Sequence, residues 1–140
     1  MALLKVWIHA VWATKHRYPF LIPEIKDKLI QHILENAASK QIRIDAINGH
    51  LDHLHALIAV RPDKTIAETM QLIKGEAAYW MNKQQLTKLK FEWAVGYYAG
   101  SVSEDHLPRV RGYIRKQEQH HAITTFWEDY ERFLRECVAA

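Results

Sequence analysis

The segment from residue 49 to residue 60 restricts the fold of this chain more strongly than any other. Its apolar residues recur at every second position: Leu54, Ala56, Ile58 and Val60. This spacing is typical of a β-strand that has one face in a core. His53 and His55 lie on the other face, about 7 Å apart along the backbone. Neutral imidazole is a common metal ligand, so the pair indicates either a cation site or two solvated histidines.

The flanking segments predict an order of elements that defines a fold class. Strands are expected within 3–13, 42–47 and about 95–102, and helices within 23–39, 65–83, 103–121 and 125–137. Pro23 and the Thr65–Glu68 capping box are typical helix starts, and Asn48-Gly49 predicts a tight turn between two strands. The order β-α-β-β-α-β, followed by two helices, predicts an α+β protein with the ferredoxin-like, split βαβ fold.

The ferredoxin-like arrangement also predicts which side chains are neighbours. Two helices would cover one face of an antiparallel sheet, the first and third strands would be central, and the other face would be open. An apolar row of the first strand would face the helices: Leu4, Val6, Ile8, Ala10 and Trp12. Because His9 points the opposite way, we expect it to lie beside His53 and His55 on the open face.

The helix that follows the fourth strand carries a tyrosine and a glutamine on one side. Tyr113 and Gln117 are four residues apart, so they share a helix face. That face lies beside the expected core stripe, which contains Leu107, Val110 and Ile114. The tyrosine can therefore reach a site while its helix stays anchored, or it can pack at the edge of the stripe.

Basic side chains occur in three parts of the chain. They are Lys15 and Arg17 in a loop, Lys74 in a helix, and Arg109, Arg111, Arg115 and Lys116 around Tyr113. Such groups can contact phosphates, or they can form a solvated surface. The formal net charge of +3 permits a polyanionic partner without requiring one.

Composition limits the class of protein. With 49% hydrophobic and 25% charged residues, the chain is typical of one globular domain that spans residues 1–140. The single cysteine, Cys137, allows no intrachain disulfide. The sequence shows neither a signal peptide nor an apolar run long enough to cross a bilayer, so a cytoplasmic location is expected.

Several motifs in one order resemble a known family. They are His9-Ala10-Val11-Trp12-Ala13-Thr14-Lys15, Gly49-His50-x-Asp52-His53-x-His55, Lys74-Gly75, Gly96-Tyr97 to Ser101-Val102-Ser103, and Tyr113-x-x-x-Gln117. Together they resemble the HUH-type single-tyrosine transposases of the insertion-sequence-200/605 group. Each motif is weak by itself, but their joint occurrence over nearly the whole chain is specific.

The resemblance implies a mechanism and its residues. Tyr113 would attack single-stranded DNA and form a 5′-phosphotyrosine, while His53, His55 and Gln117 would hold a divalent cation. The family is understood to use Mg²⁺, or alternatively Mn²⁺, although two imidazoles usually favour transition metals. His120 or His121 offers an alternative ligand.

The resemblance also implies partners. Members recognise DNA hairpins at the ends of their element, and they form homodimers in which the tyrosine helix can act in trans, in the partner's site.

Two other functions are compatible with the same residues. A domesticated, repeat-associated relative would use the same chemistry on chromosomal palindromes. A non-catalytic ferredoxin-like module would bind nucleic acid through stacking on its open sheet face, for example at Trp7. A binding module would not need the Tyr113, Gln117 and paired-histidine arrangement.

Overall fold

The computed structural model describes residues 3–117, in which helices and strands follow the predicted order. The elements are β1 (Trp7–Ala13), α1 (Pro23–Ser39), β2 (Ile44–His50), β3 (His53–Ala59), α2 (Ile66–Lys83), β4 (Tyr98–Val102) and α3 (Leu107–Arg115). A short non-helical turn, Lys15–Arg17, precedes α1, and a short 3₁₀ turn, Glu104–His106, precedes α3.

Local sequence signals account for the starts of the two long helices. Pro23 occupies the first turn of α1, where its missing N–H is not needed. At the start of α2, the Thr65 hydroxyl accepts a hydrogen bond from the Glu68 N–H, and the Glu68 carboxylate accepts one from the Thr65 N–H. This confirms the predicted capping box.

The sheet has the predicted topology. Its four strands are antiparallel and lie in the order β2-β3-β1-β4, so the first and third strands are central. The ferredoxin-like prediction is therefore confirmed. β1 begins at Trp7 and β4 at Tyr98, later than the patterns indicated, and Leu4 and Val6 are exposed.

The turn between β2 and β3 corrects the sequence analysis. The predicted turn at Asn48-Gly49 is wrong, because both residues belong to β2 and pair with His55 and Leu54. The chain instead reverses at Leu51 and Asp52. Gly49 is needed for a different reason, since a Cβ atom there would overlap the carbonyl oxygen of His53.

The sheet face that was predicted to be open is covered. α1 and α2 pack on one face, against Ile8, Ala10, Trp12 and the apolar row of β3. α3 packs on the other face, where Val110 and Ile114 meet Leu57 and Val102. The apolar side chains of this second face explain why α3 covers it, since their burial is favourable.

Some predictions lie outside the described residues. These are residues 118–121 of the predicted tyrosine helix, the ligand alternatives His120 and His121, and the helix 125–137. Within the described residues α3 ends at Arg115, so the prediction of an unbroken helix through Gln117 is wrong. Within residues 3–117, no helix is both long and apolar enough to cross a membrane.

Two glycine substitutions test this account of the sheet. We expect Gly49→Ala to lower the free energy of unfolding by about 1–3 kcal/mol, because the new methyl group is forced into the β2–β3 backbone. Gly75→Ala, in an open part of α2, should raise it by about 0.5–1 kcal/mol through helix propensity. Urea unfolding measures both, and equal stability of the two variants would contradict the close approach at Gly49.

Candidate active site

The centre of the sheet brings His9 and His55 into direct contact. β1 and β3 are neighbours, and their register places Val11 opposite His55, so His9 is a diagonal neighbour on the same face. His9 Nε2 lies 2.9 Å from His55 Nδ1, and the two rings, inclined by 23°, meet edge to edge with their centroids 5.0 Å apart. The ring of His53 lies 5.1 Å from that of His55. The predicted neighbourhood of the three histidines is confirmed.

α3 places Tyr113 over this group of histidines. Val110 and Ile114 anchor the helix in the apolar contact with the sheet, and Tyr113 is buried beside them. Its ring centroid lies 5.8 Å from that of His55 and 6.4 Å from that of His9. The helix therefore brings a phenol group next to two imidazoles.

Gln117 lies just beyond the end of α3 and is completely buried. α3 ends at Arg115, and Lys116 is its C-terminal cap. The Gln117 amide nitrogen donates a long hydrogen bond, 3.4 Å, to the backbone carbonyl of Tyr113. The side chain is thus turned back towards the tyrosine instead of towards solvent.

Asp52, at the tip of the β2–β3 hairpin, fixes His53. Its Oδ1 accepts a hydrogen bond from His53 Nδ1 at 2.8 Å. Its Oδ2 accepts a hydrogen bond from Arg17 Nε at 3.1 Å and forms an ion pair with Arg17 Nη2, also at 3.1 Å. Burial raises the pKa of Asp52, but the hydrogen bonds from His53 and Arg17 outweigh it and lower that pKa to about 2. Asp52 is therefore a carboxylate at neutral pH. The sequence analysis named Asp52 only as part of the motif around His53 and predicted no role for its side chain.

The loop that carries Arg17 is held in an unusual backbone conformation. His16 and Arg17 both have positive φ, 56° and 58°, which costs energy for residues with a Cβ. Thr14 supports the loop, because its N–H donates to the carbonyl of Asp52 and its hydroxyl donates to the carbonyl of Tyr18. This arrangement directs Arg17 to the carboxylate of Asp52.

The donors of the site suit a divalent cation. In both His53 and His55 the ring nitrogen Nδ1 is bonded to a neighbour, which is Asp52 for His53 and His9 for His55. Nε2 is then the ring nitrogen through which each would coordinate a cation, which is the usual arrangement of a metal-binding histidine and its supporting partner. Within residues 3–117 no three His, Cys, Asp or Glu side chains form a metal-binding group, so a third protein ligand would be the amide oxygen of Gln117.

Comparison with known proteins identifies the family. A family model described as "Transposase IS200 like" matches residues 2–117. The chain belongs to the IS200-like transposase family. This confirms the resemblance that the motifs indicated.

Individual relatives cover most of the chain. The ISDra2 transposase TnpA of Deinococcus radiodurans is 26% identical over 115 residues, which covers 78% of this chain and 81% of the relative. The transposase for insertion sequence element IS200 of Salmonella typhimurium is 28% identical over 116 residues, covering 78% of this chain and 74% of the relative.

Two solved structures share the fold. A transposase from D. radiodurans superimposes with a TM-score of 0.67 at 24% identity, covering 84% of this chain and 95% of that chain. A REP-associated tyrosine transposase bound to a REP hairpin gives 0.62 at 16% identity, covering 96% and 88%.

The structure distributes the basic residues of this transposase over two faces. Lys15 and Lys74 line a cleft beside Trp93 on the α2 side, away from the histidines. Lys15 forms an ion pair with Glu92, 3.0 Å away. The Lys74 ammonium donates to the carbonyls of Ala94 and Gly96, and burial lowers its pKa. DNA binding by Lys15, Lys74 and Arg17 stays a prediction.

The remaining basic residues lie on or next to α3. Arg109, Arg115 and Lys116 are exposed. Arg111 instead donates from Nε to Asp45 Oδ2 at 2.6 Å, which ties α3 to β2. A second link is the hydrogen bond from the Asn48 amide to the carbonyl of Arg115. The Arg111 contact therefore indicates a role in placing Tyr113, whether or not Arg111 also contacts DNA.

The two roles of Arg111 are separable. We expect Arg111→Gln and Asp45→Asn each to lower the thermal unfolding midpoint, and the double variant to lose little more, because both remove one interaction. Arg115→Gln, which changes an exposed side chain of the same helix, is the matched control and should keep the midpoint. Thermal unfolding followed by circular dichroism measures this. An Arg111→Gln variant with an unchanged midpoint but weaker DNA binding would favour the DNA contact alone.

Proposed function

We propose that this transposase cuts and rejoins single-stranded DNA at insertion-sequence ends, with Tyr113 as the nucleophile and a cation held by His53, His55 and Gln117. The observation that carries the proposal is the packing of the Tyr113 ring, on α3, against His55, with Gln117 buried just beyond the end of the same helix. If these positions had a purely structural role, apolar side chains would be favoured at them, since the burial of polar groups is costly.

The chemistry at Tyr113 balances without an external energy source. The Tyr113 oxygen loses its proton and forms a bond to the phosphorus, while the bond from phosphorus to the 3′ oxygen breaks. That oxygen takes up a proton and becomes a free 3′-OH, and the 5′ phosphate stays on the tyrosine. Attack by another 3′-OH reverses the step and joins the strands, because the phosphotyrosine retains the bond energy.

The other residues of the site bind and orient. Asp52 and His9 hold the two histidine rings, and His53, His55 and Gln117 supply two imidazole nitrogens and one amide oxygen. Mg²⁺, or alternatively Mn²⁺, would polarise a non-bridging phosphate oxygen when bound there. The burial of these groups keeps bulk water away from the tyrosine.

The DNA partner is proposed to be a hairpin with a single-stranded flank. The exposed cations Arg109, Arg115 and Lys116 lie on α3 or at its C-terminal end, in the same segment as Tyr113, where they can neutralise phosphates. A structural neighbour was solved with a REP hairpin bound, which supports hairpin recognition here.

The arrangement of subunits is a further part of the proposal. In this chain α3 packs on its own sheet, so Tyr113 lies beside the histidines of the same chain. The homodimer, and exchange of the tyrosine helix between subunits, stay predictions.

A cleavage assay tests the nucleophile. Single-stranded DNA from the element ends, labelled at either terminus, should yield a covalent adduct on the 5′ end of the downstream fragment in Mg²⁺ or Mn²⁺. Tyr113→Phe should abolish the adduct because it removes the attacking oxygen, whereas Tyr98→Phe, whose ring also contacts His9, should retain it. Denaturing gels resolve the adduct.

Two results would redirect the proposal. Adduct formation by Tyr113→Phe would disprove the nucleophile, and DNA binding without any adduct would support the binding-module alternative. Efficient cleavage of chromosomal palindromes, but not of element ends, would support the domesticated alternative.

Calorimetry tests the metal site independently of cleavage. His53→Ala and Gln117→Ala should each weaken Mn²⁺ binding because they remove a ligand. Asp52→Asn should weaken it by about 10–100-fold, since the support of His53 is lost. Tyr113→Phe should bind Mn²⁺ like the wild type and serves as the control. Unchanged affinity in the His53 and Gln117 variants would exclude this ligand set.

A further inference from the structure

His9 is fully buried at the centre of the sheet and contacts a metal-binding candidate directly. Its Nε2 is 2.9 Å from His55 Nδ1, within hydrogen-bond distance. Tyr98 and Tyr113 meet its ring edge-on, at centroid distances of 6.3 and 6.4 Å and interplanar angles of 78° and 76°. The ring planes of His9 and His55 are inclined by only 23°, so the two rings meet edge to edge through this contact. The orientation of the imidazole is therefore determined by several neighbours.

The chemistry of the pair restricts which ring donates. A hydrogen bond between two neutral imidazoles has one N–H donor and one nitrogen acceptor. If His9 donated from Nε2, the single proton of His55 would lie on its own Nε2 and would block coordination by that atom. If His55 donates from Nδ1, its Nε2 carries a lone pair that would coordinate a cation, and His9 carries its own proton on Nδ1.

We propose that His9 is a positioning residue that accepts the hydrogen bond from His55 Nδ1 and thereby holds His55 in the Nδ1–H tautomer. This rests on the proposed role of His55 as a ligand. His9 then does for His55 what Asp52 does for His53. Each of the two histidines thus has its own hydrogen-bond acceptor: His9 of β1 for His55, and Asp52 at the hairpin tip for His53.

Burial explains why the two acceptors differ in kind. The Asp52 side chain is 24% exposed and is paired with Arg17, so a carboxylate is tolerated there. His9 is 0% exposed, and a second carboxylate at that depth would need a cation partner of its own. A neutral imidazole accepts a hydrogen bond without that cost. The central strand position therefore favours histidine.

The test uses two substitutions that separate the acceptor from the ring. His9→Gln retains an acceptor near the position of Nε2, whereas His9→Phe retains a ring without one. Tyr98→Phe, which alters another neighbour of His9, is the matched control. The tautomer of His55 is read from long-range ¹H–¹⁵N NMR spectra of the metal-free, ¹⁵N-histidine-labelled full chain, and Mn²⁺ affinity is measured by calorimetry.

The expected results follow from the hydrogen bond. His55 should be the Nδ1–H tautomer in the wild type, in Tyr98→Phe and in His9→Gln, and should populate the Nε2–H form in His9→Phe. Mn²⁺ affinity should fall by about 10–100-fold in His9→Phe, and His9→Gln should restore most of it. Rescue by glutamine would distinguish positioning from a purely structural role.

Two outcomes would overturn the inference. One is an Nε2–H tautomer of His55 in the wild-type chain, a result that does not depend on whether any variant folds. The other is a folded His9→Phe variant with wild-type tautomer and affinity. If the wild type shows the expected tautomer but binds no Mn²⁺, the metal site of the proposed function fails while the tautomer assignment is supported.

Discussion

The antiparallel pairing of β1 with β3 is the constraint on which the rest of the structure depends. It places His9 and His55 in one polar contact at the sheet centre and leaves the alternate residues of both strands to the apolar core under α1 and α2. A shift of one residue in this register would turn every one of these side chains to the opposite face. The same strand register therefore determines both the apolar core and the positions of the site residues.

Burial of the polar residues is balanced by specific contacts. His53 bonds to Asp52, Asp52 to Arg17, and His55 to His9. A buried polar group without such a contact costs about 1–3 kcal/mol. The apolar packing of α3 against Leu57 and Val102 excludes water from the same region. One helix, α3, therefore supplies both the candidate nucleophile and the apolar cover of the site.

The sequence predicted those features that local patterns determine. Pro23 and Thr65 marked the helix starts, and alternation in β3 placed His53 and His55 on one face. The prediction of a turn at Asn48-Gly49 was wrong because turn propensity contains no information about the close approach of Gly49 to His53 in the paired strands. The cover by α3, the Asp52 contact and the His9 bond depend on how distant segments meet. The stripe of Val110 and Ile114 was visible in the sequence, but the surface it packs against was not.

The ligand set, if it binds a cation as proposed, is neutral. Two imidazoles and one amide contribute no charge, and the carboxylate of Asp52 is already engaged with Arg17 and His53. The charge of a divalent ion in this buried site would then be balanced mainly by the phosphate of the DNA. Each would strengthen the binding of the other, by the reciprocity of linked binding. The phosphate oxygens of the DNA would also offset the preference of imidazole for transition metals, because Mg²⁺ commonly binds through substrate phosphates. The cation would thus be held most tightly when a strand is in place for Tyr113.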